Sequence, residues 1–266
     1  MPLTNRLSAG KNNPIMQKTD LLNYLNAYLH IDEIKDYGPQ GLQVEADKSE
    51  IHKVALGVDV SPAIIQAAAA WEADMLLVHH GILWRNVERL NGALGQRVRL
   101  LLKHNIHLYA AHLPLDAHPE IGNNSVLAHM FGVAIENWWC SPTNVPIGIV
   151  GHLHHPLPVT DLVAQINEKL HTQARLLAHG PAQAERVAIL SGFGADEVAE
   201  VKKLGADTYI TGETSHAHYW AASDYALNVI FAGHYASEMV GVQALGQHLT
   251  AQFGLETRFF DFPTGL

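Results

Sequence analysis

Three apolar stretches of this chain end in residue types that bind metals. ADMLLVHHG (73–81) closes on His79 and His80, HLYAAHLPLD (107–116) carries His112 and Asp116, and VIFAGHYASE (229–238) carries His234 and Glu238. Imidazole and carboxylate together suit divalent transition ions, and four imidazoles with two carboxylates exceed the three protein ligands of a single catalytic zinc. The set fits two ions about 3.5–4 Å apart, bridged by Glu238 or Asp116. Two divalent ions carry more positive charge than two carboxylates neutralise, so such a centre acidifies a bound water and attracts an anionic substrate. Hydrolysis is the chemistry that follows. One geometric condition applies: successive strand residues point to opposite faces, so His79 and His80 meet one place only if the chain bends there, or else they serve two ions. Gly81, directly after the pair, would permit a bend.

The elements that must position these residues read as alternating short strands and helices. KTDLLNYLNAYLH puts Leu21, Leu22, Leu25 and Leu29 on one helical face. YGPQGLQVE then reads as a turn, KVALGVD as a strand, and SPAIIQAAAAWEA as a helix with Pro62 at its first position. DMLLVHHG, QRVRLLLKHN and IHLYAAHLPLD follow as strand, helix and strand. The second half replays the order with VTDLVAQINEKL, RVAILSGFG, DEVAEVKKLG, ADTYITGETSH, SDYALNVIFAGHYASE, EMVGVQALGQHLTAQF and LETRFFDF. EADMLLVHHG matches GADTYITGET in spacing and type, and HLYAAHLPLD matches VIFAGHYASE; a duplication and a chance match between βαβ segments both account for this. The fold class expected is α/β: two interlocked lobes with mostly parallel central sheets, pseudo-symmetric if the replay is a duplication. Ligand-type residues then fall at the carboxyl ends of strands, where open parallel sheets bind ligands. The division expected is a flexible arm over 1–15, a first lobe over 16–135 with the HHG and HLPLD motifs, and a second over 136–266 with TGE and GHYASE.

Composition narrows the partners. At 266 residues and 48% hydrophobic the chain can bury a full core. A net charge of -9 opposes general attraction to nucleic acid or an anionic membrane. No apolar run approaches the roughly 18 residues that span a bilayer, and the opening stretch lacks the apolar core of a secretory signal. The single cysteine, Cys140, leaves no intrachain disulfide and points to a reducing compartment, the cytoplasm. The 18 histidines outnumber the 17 lysines and arginines, but position rather than number gives them meaning.

Several neighbours have two readings. Trp84 and Arg85 follow the histidine pair closely enough to line the same site, offering a stacking face and a phosphate-pairing guanidinium; a core tryptophan with a solvated arginine is the alternative. Asn123 and Asn124 read as the cap of the helical SVLAHMFG. Glu213, matched to His80 in the internal comparison, is either a proton carrier beside the metals or a helix cap. GHLHHP (151–156) lies outside the repeated strand ends and reads as a strand followed by a proline turn. SGFGADE places Glu197 where the third glycine of a dinucleotide loop would fall.

Five blocks, GLQVE (41–45), HHG (79–81), HLPLDAHPEIGNN (112–124), TGE (211–213) and GHYASE (233–238), resemble the signature of the Ngg-interacting-factor-three-like family. Its members often bear the label GTP cyclohydrolase I type 2 homologue. The resemblance runs in order from about residue 17 to 264 and is to the short form, without the large central insertion of longer members. It implies a dinuclear metal centre on His79, His80, Asp116, His234 and Glu238, with His112 a near neighbour. It also implies a toroidal homohexamer, a trimer of dimers with the metal sites facing an internal cavity. The two divalent ions would be zinc, iron, manganese, cobalt or nickel, between which these donors do not choose. The function expected is a dinuclear metal-dependent hydrolase, of cyclohydrolase or phosphoesterase type, acting on a small anionic substrate such as a nucleotide. A non-catalytic metal-binding hexamer, acting as scaffold or interaction protein, is the other reading.

Overall fold

Apolar runs without alternation make parallel strands covered on both faces. In the computed structural model, which describes residues 16–85, 89–140 and 142–266, Lys53–Gly57, Met75–Val78 and His107–Ala110 lie side by side, parallel and in register. The arm expected over 1–15 lies outside the described residues. Glu256–Phe259 adds a parallel strand on one edge and Gly41–Val44 an antiparallel one on the other, giving five strands among the described residues. The second sheet repeats the plan. Gln183–Phe193, Thr208–Glu213 and Asn228–Phe231 run parallel, and Arg175–Ala178 closes one edge antiparallel. The hairpin of Val133–Trp139 and Gly148–Pro158 brings this sheet to six strands.

The two sheets share a local device. Asp74, just before the middle strand of the first, accepts the backbone N–H groups of His52 (2.7 Å) and Lys53 (2.9 Å). Asp207, just before the middle strand of the second, accepts those of Arg186 (2.7 Å) and Glu185 (3.1 Å). Each carboxylate satisfies the neighbouring strand where its parallel pairing begins, so the internal match in sequence corresponds to a match in backbone pairing.

The helix His234–Phe253 joins the halves. Ala236 and Val240 pack with Ile189, Ile210 and Ile230 of the second sheet, whereas Val242, Leu245 and Leu249 pack with Leu56, Met75 and Leu77 of the first. Its first half, from Tyr235 to Val242, is covered nearly all round, whereas Gln247, Thr250 and Ala251 expose one face of its second half. The last strand then returns to the first sheet, interleaving the halves. No described helix is long and apolar enough to cross a membrane.

Several local expectations differ from what is found. GLQV is an edge strand, not the continuation of a turn, because it finds a partner in His107–Ala110. The run HLYA ends at Ala110, and Leu113–Asp116 is a helical turn. NVIF ends at Phe231, Gly233 turns the chain at φ +97°, and the helix begins at His234. In HYASE the His-x-x-x-carboxylate spacing is the i, i+4 of one helical face, whereas His112 stands just before the turn that carries Asp116. GHLHHP continues as strand through Pro156, which falls where the register against Gln183–Phe193 shifts, a place that tolerates proline.

Candidate metal centre

The strand Met75–Val78 stops one residue before the histidine pair, and the chain bends, with His79 N–H donating to Gly57 O (3.3 Å) and His80 N–H to Val58 O (2.7 Å). Both rings are freed from the alternation of a strand. Gly81 serves by absence of bulk: a Cβ there would lie 2.3 Å from Gln43 Oε1, which accepts the N–H groups of Ile82 and Leu83. His112 precedes the helical turn that carries Asp116, and His234 and Glu238 sit one turn apart at the start of the central helix. The ring centroids of His79 and His80 are 4.8 Å apart, those of His79 and His112 5.0 Å, and those of His80 and His234 5.4 Å.

Each of the four imidazoles is held by an acceptor at Nδ1. His79 donates to Ala111 O (3.0 Å), His80 to Asp59 Oδ1 (2.9 Å) and His112 to Asp36 Oδ1 (2.9 Å), and His234 Nδ1 is 3.1 Å from Glu213 Oε1. A carbonyl or carboxylate only accepts, so the Nδ1 hydrogen is fixed and Nε2 of the neutral ring presents its lone pair, the arrangement that second-shell acceptors impose on metal-binding histidines.

Glu238 is buried and faces two ways. Its Oε1 is 3.6 Å from His79 Nε2, which is itself 3.6 Å from Asp116 Oδ2; its Oε2 is 3.2 Å from His80 Nε2 and 3.0 Å from His234 Nε2. One carboxylate therefore stands between two sets of donors. Ligand atoms of His80, His234 and Glu238 lie within 4.8 Å of one another, and so do those of His79, His80 and His112. His79 Nε2 and Glu238 Oε2 are enclosed yet have no hydrogen-bond partner among the described residues. Orphaned buried donors of this chemistry fit a pair of divalent cations.

The protons left in the ion-free cluster follow from the same geometry. Burial opposes charge on His80, but the hydrogen bond to Asp59 and the nearby charge of the Glu238 carboxylate outweigh it and lift its pKa to about 10; burial likewise opposes charge on His234, which Glu238 and Glu213 raise to about 9. Burial also works against ionised Glu238, yet His79, His234 and His80 hold its carboxyl well below the usual range. At pH 7 a cation entering the cluster must therefore displace protons, and its affinity rises with pH until both imidazoles are neutral, near pH 10. Titration calorimetry with zinc in two buffers of different ionisation enthalpy checks this; heats that do not depend on the buffer would contradict it.

The other residues singled out in the sequence are distributed as follows. Trp84 stands edge-on to His112, with ring centroids 5.2 Å apart, whereas Arg85 is exposed, at φ +50°, with its N–H on Tyr37 O. Glu213 meets His234 rather than capping a helix. Asn123 and Asn124 are not caps: that place belongs to Gly122, and both amides are buried inside the helix they open. Asn123 donates to Asp116 Oδ1 (2.8 Å) and accepts Gly241 N–H (2.8 Å), and Asn124 accepts Ser191 N–H (2.8 Å) through Oδ1 while its Nδ2 is buried without a partner among the described residues. Among the described residues no metal-type group includes His152, His154 or His155. Asp36 and Asp59 are not among the residues expected at the site. Asp59 had a signal, since it follows the run KVALG at the same carboxyl edge as the histidines; Asp36, in an irregular segment, had none.

A family model described as Duf34/NIF3 (NGG1p interacting factor 3) matches residues 16–264. The chain is 39% identical over 252 residues to a protein of Pyrococcus abyssi named GTP cyclohydrolase 1 type 2 homolog, covering 94% of this chain and 100% of that one. It is 37% identical over 249 residues to a protein of the same name from Deinococcus radiodurans, covering 94% of each. Among solved structures it resembles the protein ybgI, described as of unknown function, with a TM-score of 0.89 and 34% identity over 94% of this chain and 100% of that one. The structure of TTHA1606 from Thermus thermophilus matches with a TM-score of 0.85 and 37% identity over the same shares.

Proposed function

The chain belongs to the Duf34/NIF3 family, and from that premise we propose that it is a dinuclear metal-dependent hydrolase of small anionic substrates. The observation that carries this is Glu238, whose two oxygens face separate donor sets. His79, Asp116 and Glu238 Oε1 would hold one ion, and His80, His234 and Glu238 Oε2 the other. When bound, divalent ions in such a pair acidify water and polarise a phosphoester or ring carbon-nitrogen centre.

The chain's own groups divide the remaining work. Asp59 and Glu213 keep His80 and His234 in the ligating tautomer. His112, its Nδ1 hydrogen held by Asp36, keeps Nε2 available to accept a proton from the attacking water or to return one to the leaving group. Asn123 orients Asp116 through Oδ1. A cavity of about 390 Å³ leads to His80, with the rings of Trp84 and Tyr235 in its wall. The relatives' names favour a nucleotide as substrate, whether opened at the ring or cut at a phosphoester.

Elemental analysis of the purified protein, followed by a screen of GTP and phosphoesters under the metal found, is expected to give two divalent ions per chain and turnover of at least one compound. Two ions without turnover would favour the metal-binding scaffold, and no ions would overturn both readings. The ring of six copies and a cytoplasmic location belong to the same proposal; light scattering is expected to give the mass of a hexamer.

A further inference from the structure

The cavity beside His80 holds a cation that the metal cluster does not use. Arg97, on the second turn of the helix Gly92–Lys103, lines it together with Trp84, Tyr235, Phe260 and Phe262. Its side chain is half-buried, its Nε is enclosed without a hydrogen-bond partner, and no ion pair among the described residues includes it. The carboxylate in the same wall, Asp59, already accepts from His80. A partly desolvated guanidinium without an anion is costly, and its planar fork of donors matches phosphate or carboxylate. In a chain of net charge -9 such a cation is a local exception to the overall field.

Four rings, those of Trp84, Tyr235, Phe260 and Phe262, share the wall with the aliphatic Val58, Val60 and Ile64, and the last three of these rings are tied together. Tyr235 follows the cluster's His234; its hydroxyl donates to Asp261 Oδ1 (2.8 Å) and accepts the N–H of Phe262 (2.8 Å), fixing the segment that carries Phe260 and Phe262. Fixed rings suit a flat group, and a cavity of about 390 Å³ is of the size that encloses a small ligand. We propose that Arg97 is a specificity-determining residue: it binds the phosphate of a nucleotide whose base lies against the rings of Trp84, Tyr235, Phe260 and Phe262 in the cavity beside His80. The inference rests on the hydrolase reading only for what becomes of the nucleotide, not for binding.

The test is equilibrium binding of GMP and guanosine to the full, metal-loaded protein and to Arg97→Gln and Arg97→Lys. The wild-type protein is expected to prefer GMP, Arg97→Gln to lower GMP affinity about 10- to 100-fold while leaving guanosine unchanged, and Arg97→Lys to recover part of the loss. Unchanged GMP affinity in Arg97→Gln, an equal loss for guanosine, or no binding of either by the wild-type protein would overturn the proposal. If Arg97→Gln does not fold, as circular dichroism would show, Arg97→Lys decides, since loss of the planar fork alone must weaken GMP more than guanosine. Turnover is not read, so an absence of hydrolysis leaves the result intact, and a failure at Arg97 leaves the metal count and substrate screen standing.

Discussion

Glu238→Ala is expected to empty both donor sets together and to reduce turnover about a thousandfold, because this carboxylate contributes an oxygen to each. Loss of either His79 or His234 removes a donor from one set and leaves the other complete, so the three variants should differ in metal count and not merely in rate. The ion-free protein should report the change independently. In the wild type the raised pKa values of His80 and His234 mean that their charged forms stabilise the fold fully below pH about 6.5, the unfolded value, and that this contribution is lost as pH rises through about 9 and 10. Removing Glu238 takes away the partner of those charges, a loss of about 3–5 kcal/mol for a broken buried pair, at the low end here because imidazoles can shed their protons. Urea unfolding of the two ion-free proteins should therefore show a large gap at pH 7 and a smaller one above pH 10. Two ions still bound by Glu238→Ala would remove the shared carboxylate from the account.

What the sequence disclosed about this site was its donors, and the physical reason is specific. Parallel strands covered on both faces leave little room for polar residues, so His79 and His80 at the end of MLLV, or His112 after HLYAA, stand out against the apolar run. The spacing in HYASE was legible too, but period alone could not say whether His234 and Glu238 ended a strand or opened a helix; the helix follows from Gly233 at φ +97° and from packing against both sheets. The partners of the imidazoles were largely hidden. Asp36 and Asp59 lie outside regular elements, where no periodicity constrains the side chain, and they reach His112 and His80 from 76 and 21 residues away. Asn123 carried a misleading signal: an asparagine before a helical run reads as a cap, whereas here the helix start is buried and the amide ties Asp116 to the central helix.

Gly192→Ala should be the most informative change at a residue that is not itself a donor. Gly192 has φ +65°, and a Cβ on it would sit 2.2 Å from Glu238 Oε1 and 3.3 Å from His234 Nε2. A carboxylate oxygen at the end of a free side chain could step aside, but Glu238 is enclosed and flanked by three imidazoles, so any displacement takes Oε1 away from His79. Two costs are then superposed: the left-handed backbone penalises alanine by about 1–2 kcal/mol wherever it occurs, and the contact with Glu238 acts on the cluster alone. Gly92→Ala separates them. Gly92 also has positive φ, +54°, with nothing within 4 Å of the position a Cβ would take, so that variant should lose stability on a similar scale and keep its metal. Gly192→Ala should lose comparable stability and, in addition, the ion on the His79 and Asp116 side, with turnover falling about a hundredfold. Thermal unfolding alongside metal analysis of both variants decides the matter. If Gly192→Ala retains two ions per chain, Glu238 has more freedom than its enclosure implies, and the backbone of SGFG is not what holds the carboxylate between its two sets of donors.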